Sequence, residues 1–241
     1  MIKDLADYPA LQAIQNALWH VSDVRGAAVM VGSGFSMNAE LASPSSKGPP
    51  LWSDMATAMK AQLGPGSSGS DNPLRLAEEF RALLGQAALD GLIRDLVPDA
   101  EWLPGEAHMQ LLELPWSDVL STNWDTLLER GKTELTERSY DLVFTPEDIS
   151  RTRSPRIIKL HGTLPSHTPF IFAEEDYRTY PAKFAPFVNL AQHVLLENEL
   201  LLLGFSGDDP NFLAWAGWVR DQLGTSARKI RLAGVLNLSP A

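Results

Sequence analysis

The sequence predicts a doubly wound α/β domain, with a mainly parallel sheet and a helical insertion. Three observations carry this. Short apolar runs recur along the chain and are continuous rather than alternating, as strands covered on both faces of a parallel sheet must be. Stretches with apolar residues at helical spacing separate the later runs, which is the pattern of βαβ units. Four of the runs end in small or polar residues, as expected at the carboxyl edge of such a sheet, where ligands bind.

The elements follow in order. Leu11, Ile14, Leu18 and Val21 share one face of an opening amphipathic helix. Residues 27–31 (AAVMV) read as a buried strand that enters a tight turn at Gly32, Ser33 and Gly34. Residues 42–50 and 64–73 are turn-rich loops. Three helical faces lie around them: Met55, Met59 and Leu63; Leu76, Phe80, Leu83 and Leu84; Leu89, Leu92, Ile93 and Leu96. Residues 43–114 are therefore read as a small helical insertion. Strands then return at 118–122, 156–160, 200–203 and 230–236. Phe184, Phe187, Val188, Ala191 and Leu195 mark one helix between them, and Phe212, Trp215, Val219 and Leu223 another.

Composition narrows the function. At 241 residues, the chain is long enough for one large domain, or one with an insertion, to bury a core without covalent staples. Thirty acidic against 20 basic side chains give a formal charge of −10, which argues against direct binding of nucleic acid. The absence of cysteine excludes disulfides and thiolate zinc sites. His20, His108, His167 and His193 lack metal-ligand spacing and receive no role, so no bound metal is expected. The first 20 residues carry no signal-peptide pattern, and no apolar run is long enough to span a membrane. A cytoplasmic location is expected. The chain stops just after its last apolar strand, so the expectation is that it forms the N-terminal part of a larger protein.

The chemistry concentrates at four strand ends: Gly32-Ser33-Gly34-Phe35-Ser36, Thr122-Asn123-Trp124-Asp125, His161-Gly162 and Gly204-Phe205-Ser206-Gly207-Asp208. Each has an ordinary reading. The glycines can serve a plain βα turn, Asn123 can cap a helix over 124–130, and His161 can be a satisfied buried histidine. Asp209 before Pro210 suits an N-cap followed by proline at the first helical position.

Together, in this order, the segments resemble the sirtuin family, whose members show a G-A-G-x-S turn, a T-Q-N-x-D segment, an H-G pair and a G-T-S turn. The departures are the missing glutamine beside Asn123, the lack of the four-cysteine zinc ribbon, and the helical insertion in place of the small zinc domain. This variant is most similar to the sirtuin-like effector domains of bacterial antiphage defence systems.

The resemblance implies NAD as substrate and cleavage of its nicotinamide–ribose bond. Asn123 would hold the ribose hydroxyls or an attacking water, and His161 would act as general base. Gly32, Ser33, Gly34 and Ser36 would hold the diphosphate, with Phe35 in the same turn. Thr122 and Asp125 would flank Asn123 in the cofactor site. Gly204, Phe205, Ser206 and Asp208 would line the adenosine half. Release of nicotinamide and ADP-ribose would deplete NAD in defence, under control of a further domain, a partner protein or homo-oligomeric assembly. The alternatives left open are a deacylase or ADP-ribosyltransferase on the same scaffold, a non-catalytic module that binds NAD or ADP-ribose, and an unrelated α/β domain with chance matches.

Overall fold

The computed structural model describes residues 8–19, 26–64, 69–166 and 169–226, and the backbone of 230–233. The expectations at Val21, His20, His167, 65–68 and 234–236 lie outside the described residues.

Six strands form the main sheet: β1 (Ala27–Val31), β4 (Asp118–Ser121), β5 (Asp141–Val143), β6 (Arg156–Lys159), β7 (Glu199–Leu203) and β8 (Ile230–Ala233). Their order is β5-β6-β4-β1-β7-β8, and every neighbouring pair is parallel. Two short strands, β2 (Glu40–Leu41) and β3 (Trp102–Leu103), pair antiparallel as a separate ribbon.

The continuous apolar runs have a direct cause. Successive side chains of a strand point to opposite faces. Met30, Leu120, Ile158 and Leu202 go to one face, beneath α8 (Glu174–Lys183), α9 (Ala185–Glu197) and α10 (Pro210–Leu223). Val29, Val119, Ile157 and Leu201 go to the other, beneath α1 (Tyr8–Leu18) and α6 (Glu106–Glu113), which contributes Leu111 and Leu112. With both faces covered, the central strands β1 and β7 are buried along almost their whole length and show no polar alternation. The fold is a doubly wound α/β sheet.

Between β1 and β4 the chain also makes α2 (Ser33–Ser36), α3 (Trp52–Leu63), α4 (Pro73–Leu84) and α5 (Gln86–Leu96). Helices α3 to α5 enclose a cluster of their own around Met55, Met59, Leu76, Phe80, Leu89 and Ile93, which continues into Trp124, Phe170 and Phe172. Asn72 caps α4 by accepting the N–H groups of Leu74 and Arg75, and Pro73 follows at the first helical position. Arg81 ties α4 to α8 through Asp176 at 2.6 Å. Arg130, at the end of α7 (Leu127–Gly131), reaches Asp99 at 3.1 Å.

One expected face is corrected. Leu76 and Phe80 are buried, but Leu83 and Leu84 are 64% and 48% exposed. Gly85, at φ 91°, turns the chain straight into α5, whose first buried side chain is Leu89, so the last turn of α4 stays uncovered.

Candidate functional site

In a doubly wound sheet the ligand crevice lies where the strand order reverses, outside the carboxyl ends. Here that point falls between β1 and β7, since the chain proceeds from β1 to β4 on one side and returns with β7 on the other. Two turns meet there. The Gly34 N–H donates to Gly204 O at 2.9 Å, and Gly32 N–H donates to Leu203 O at 3.2 Å. The approach is close enough to dictate glycine. A Cβ on Gly204, whose φ is +59°, would stand 2.1 Å from Phe35 N, and one on Gly32 would stand 2.7 Å from Gly204 O. The ordinary turn reading of these glycines therefore holds: each makes room for the opposite turn. They line a cavity as well.

That cavity has a volume of about 620 Å³, within the ordinary range of ligand pockets. Gly32, Ser33, Gly34, Ser36, Thr122, Asn123, Asp125, His161, Gly204, Phe205, Ser206 and Asp208 all line it, so four segments far apart in sequence converge. Phe35 does not. Its ring is buried against His108, with centroids 4.8 Å apart, and only its main chain belongs to the turn.

Asn123 follows β4 in a segment that is not yet helical. It caps no helix, because α7 begins only at Leu127 with Thr126 at the capping position. Its amide instead spans to the neighbouring turn. Asn123 Nδ2 donates to Gly32 O and to Ser36 Oγ, each at 2.9 Å. Ser36 Oγ donates onward to Asp125 Oδ2 at 2.7 Å, and Asp125 Oδ1 accepts the Leu127 N–H at 3.2 Å. Both amide hydrogens are thereby committed, and Oδ1 is left as the acceptor that the side chain can offer to the cavity. Asp125 orients Ser36, and through it Asn123, with Oδ2, while Oδ1 is spent on the Leu127 N–H.

A buried ion pair supports this loop from below. Lys159 Nζ donates to Asp125 O at 2.6 Å and lies 3.1 Å from Glu129 Oε1. Burial pushes the Glu129 carboxyl up, and Lys159 draws it back down.

His161 follows β6 and is 2% exposed. Asn211 Nδ2 lies 3.4 Å from its Nε2, and Asp209 Oδ2 lies 3.9 Å from the same nitrogen. The rings of Tyr177 and Tyr180 meet it edge-on, at centroid distances of 5.4 and 5.9 Å. Burial lowers the His161 pKa below the usual 6.5, and the Asp209 and Asp176 carboxylates only partly offset it, so the ring is neutral at pH 7. The Tyr177 phenol is pushed well up, first by burial and then by the Asp209 carboxylate.

The remaining wall comes from the segment between β1 and β4. Pro50, Leu51, Trp52 and Met55 line the cavity from this side, and Trp52 packs against Phe172 at 5.4 Å. Neither of the other described histidines reaches the cavity: His108 Nδ1 accepts the Gly105 N–H at 3.2 Å, and His193 lies 3.3 Å from Glu197 on the exposed face of α9. Among the described residues no group of three or more His, Cys, Asp or Glu side chains could hold a metal, and no helix is long and apolar enough to cross a membrane.

Sequence reasoning missed Tyr177 and Asn211, and it saw only half of Asp209. The cap reading of Asp209 holds, since Oδ1 accepts the Phe212 N–H at 3.0 Å, but the same residue also faces His161. The available signal was Tyr177 and Tyr180, two buried aromatics three positions apart on an otherwise polar stretch.

Comparison with known proteins agrees with this fold. The SIR2-like domain family model matches residues 117–236. The NAD(+) hydrolase ThsA of Acinetobacter baumannii (strain 532279) is 34% identical over 111 residues, which is 45% of this chain and 23% of that protein. The NAD(+) hydrolase ThsA of Bacillus cereus (strain MSX-D12) is 25% identical over 197 residues, 77% of this chain and 38% of its own length. Defense-associated sirtuin 2 of Bacillus subtilis is 24% identical over 164 residues, 64% of this chain and 16% of its own. The chain thus spans less than two fifths of the length of each of these relatives. The chain is sirtuin-like, and its residues 117–236 belong to the SIR2-like domain family.

Proposed function

We propose that this chain is an NAD hydrolase that releases nicotinamide and ADP-ribose, and that it depletes NAD in antiphage defence. The observation that carries the reading is the convergence of Asn123 and His161 on one cavity at the strand-order reversal, with an acceptor on one and a neutral imidazole on the other. The names of the relatives, two NAD(+) hydrolases and a defence-associated sirtuin, support the same activity and setting.

Breaking the nicotinamide–ribose bond builds positive charge at C1′, as in glycoside hydrolysis. The leaving group departs as neutral nicotinamide with the bonding electron pair, so no acid is needed to protonate it. Water supplies the oxygen that bonds to C1′, and its proton passes to His161. Asn123, pinned by Gly32 O and Ser36, would hold a ribose hydroxyl or that water with Oδ1. The buried surroundings suit the task, because fixed dipoles act more strongly where water is excluded. The turns at 32–36 and 204–206 would hold the diphosphate and the adenosine, and the segment 43–114 would close the nicotinamide side as an insertion in place of a zinc module. A further domain, a partner or self-assembly would control turnover.

The test is to incubate the chain with NAD over a range of protein concentrations and to follow nicotinamide and ADP-ribose chromatographically. Equal amounts of the two products are expected, at a rate per molecule that rises with concentration or on addition of a partner. NAD binding without products under every condition would instead favour a regulatory module.

A further inference from the structure

Asp209 does more than its position demands. It precedes Pro210 at the start of α10, with extended backbone at φ −62° and ψ 123°, and Oδ1 alone satisfies the Phe212 N–H. A neutral asparagine or serine caps a helix about as well. The second oxygen is turned to the interior, 3.9 Å from His161 Nε2, on a side chain only 11% exposed. The same carboxylate also helps to hold the phenol of Tyr177, which packs edge-on against the His161 ring, above its ordinary pKa, after burial.

The charges around His161 differ in how far they are already spent. From α8 come Asp176, Tyr177 and Tyr180, and from the start of α10 come Asp209 and Asn211. Asp176 is neutralised by Arg81 at 2.6 Å, and its other oxygen accepts the Phe172 and Ala173 N–H groups. The Tyr180 hydroxyl is committed to Leu160 O at 2.7 Å. Asp209 has no lysine or arginine partner among the described residues, and its nearest cationic candidate is the imidazole itself. Asn211 Nδ2 lies 3.4 Å from Nε2, an arrangement that fits the tautomer with the proton on Nδ1.

We propose that Asp209 is a positioning residue for His161, whose carboxylate stabilises the proton that Nε2 takes from water or a ribose hydroxyl. The proposal rests on the NAD-hydrolase reading for its consequence in turnover, but not for its consequence in the free protein. Protonation of His161 transfers a charge into a buried site, and burial opposes it. A carboxylate at this distance from the new charge offsets that cost, and without it the histidine would be a poorer base.

The experiment uses Asp209→Asn, which keeps the cap and removes the charge, with Asp209→Ser as a second cap-retaining variant. The His161 imidazole is titrated by NMR in the chain without NAD, its signal assigned by its loss in His161→Gln. Melting temperature, kcat and KM for nicotinamide release are measured on the same samples. The His161 midpoint is expected to fall by about one pH unit or more in both variants, the usual effect of losing an opposite charge at this range. The melting temperature should stay close to that of the unmodified chain. kcat should drop roughly tenfold or more with KM little changed, and Asp209→Asn should cost nothing further in a His161→Ala background. A His161 midpoint that does not move in Asp209→Asn would overturn the proposal. Absence of nicotinamide release from the unmodified chain would count against the hydrolase reading alone, since the titration still tests Asp209.

Discussion

Asp118 opens β4 at the amino edge of the sheet, and Asn123 stands just past the same strand at the carboxyl edge. Asp118 is saturated. Arg156, its register partner on β6, grips it with Nε at 2.9 Å and Nη2 at 2.8 Å, Ser154 Oγ reaches both oxygens at 3.0 and 3.1 Å, and the Arg156 N–H adds a further bond at 3.0 Å. The hydrogen bond to Asp118 is also the main reason that the Arg156 guanidinium is held above its ordinary pKa. At the carboxyl edge the polar groups are as buried but only partly satisfied. Asn123 spends its two hydrogens and keeps an oxygen, and His161 has a single 3.4 Å contact and a carboxylate at 3.9 Å. Unsaturated buried polar groups are costly, and they persist where a ligand completes them. Complete pairing at Asp118 thus holds β4 to β6, whereas Asn123 and His161 keep polar atoms that can face the cavity.

This contrast can be broken by mutation. The largest effect is expected at the amino edge. Asp118→Ala leaves Arg156 buried without its partner and should cost about 3–5 kcal/mol of stability, read from denaturant unfolding, with nicotinamide release per folded molecule unchanged. A loss of turnover in molecules that remain folded would mean that the two edges are not separate in role.

A smaller effect sharpens it through pH. Burial lowers the His161 pKa in the folded chain below the unfolded value of 6.5, so the unfolded chain binds the proton more readily. The contribution of this neutral histidine to stability is complete above pH 6.5 and is lost as pH falls below it. His108, whose pKa is also lowered chiefly by burial, acts in the same direction. The melting temperature should therefore fall by a few degrees between pH 7 and pH 5, and by less in His161→Gln. Equal slopes for the two proteins would show that His161 is not held neutral by the fold.

Much of the scaffold was legible because burial leaves a mark on composition. β1, β4, β6 and β7 stand out as apolar runs because both their faces are covered. β5 was missed: it is an edge strand of three residues, Asp141–Val143, too short to show a pattern. α8 was missed because EEDYRTYPAK is polar and buries only Tyr177 and Tyr180. Asn123 and His161 were legible because each directly follows a strand, where chemistry on this kind of sheet belongs. Their partners were not, since Asn211 and Tyr177 reach His161 only through the packing of α8 and α10, which no local spacing records. The glycines of the two meeting turns could be recognised as a turn signal, but their mutual exclusion of side chains is a tertiary fact.

The account turns on whether the incomplete polar groups at the carboxyl edge do chemistry or only pack. The direct measurement is nicotinamide release and melting temperature on the same samples of Asn123→Ala and His161→Ala. The account predicts that turnover per folded molecule falls by roughly 10²-fold or more in each, the lower end of what a positioned acid–base group contributes, with the double variant little worse than either and melting close to that of the unmodified chain. Variants that melt early yet release nicotinamide at the normal rate would contradict it.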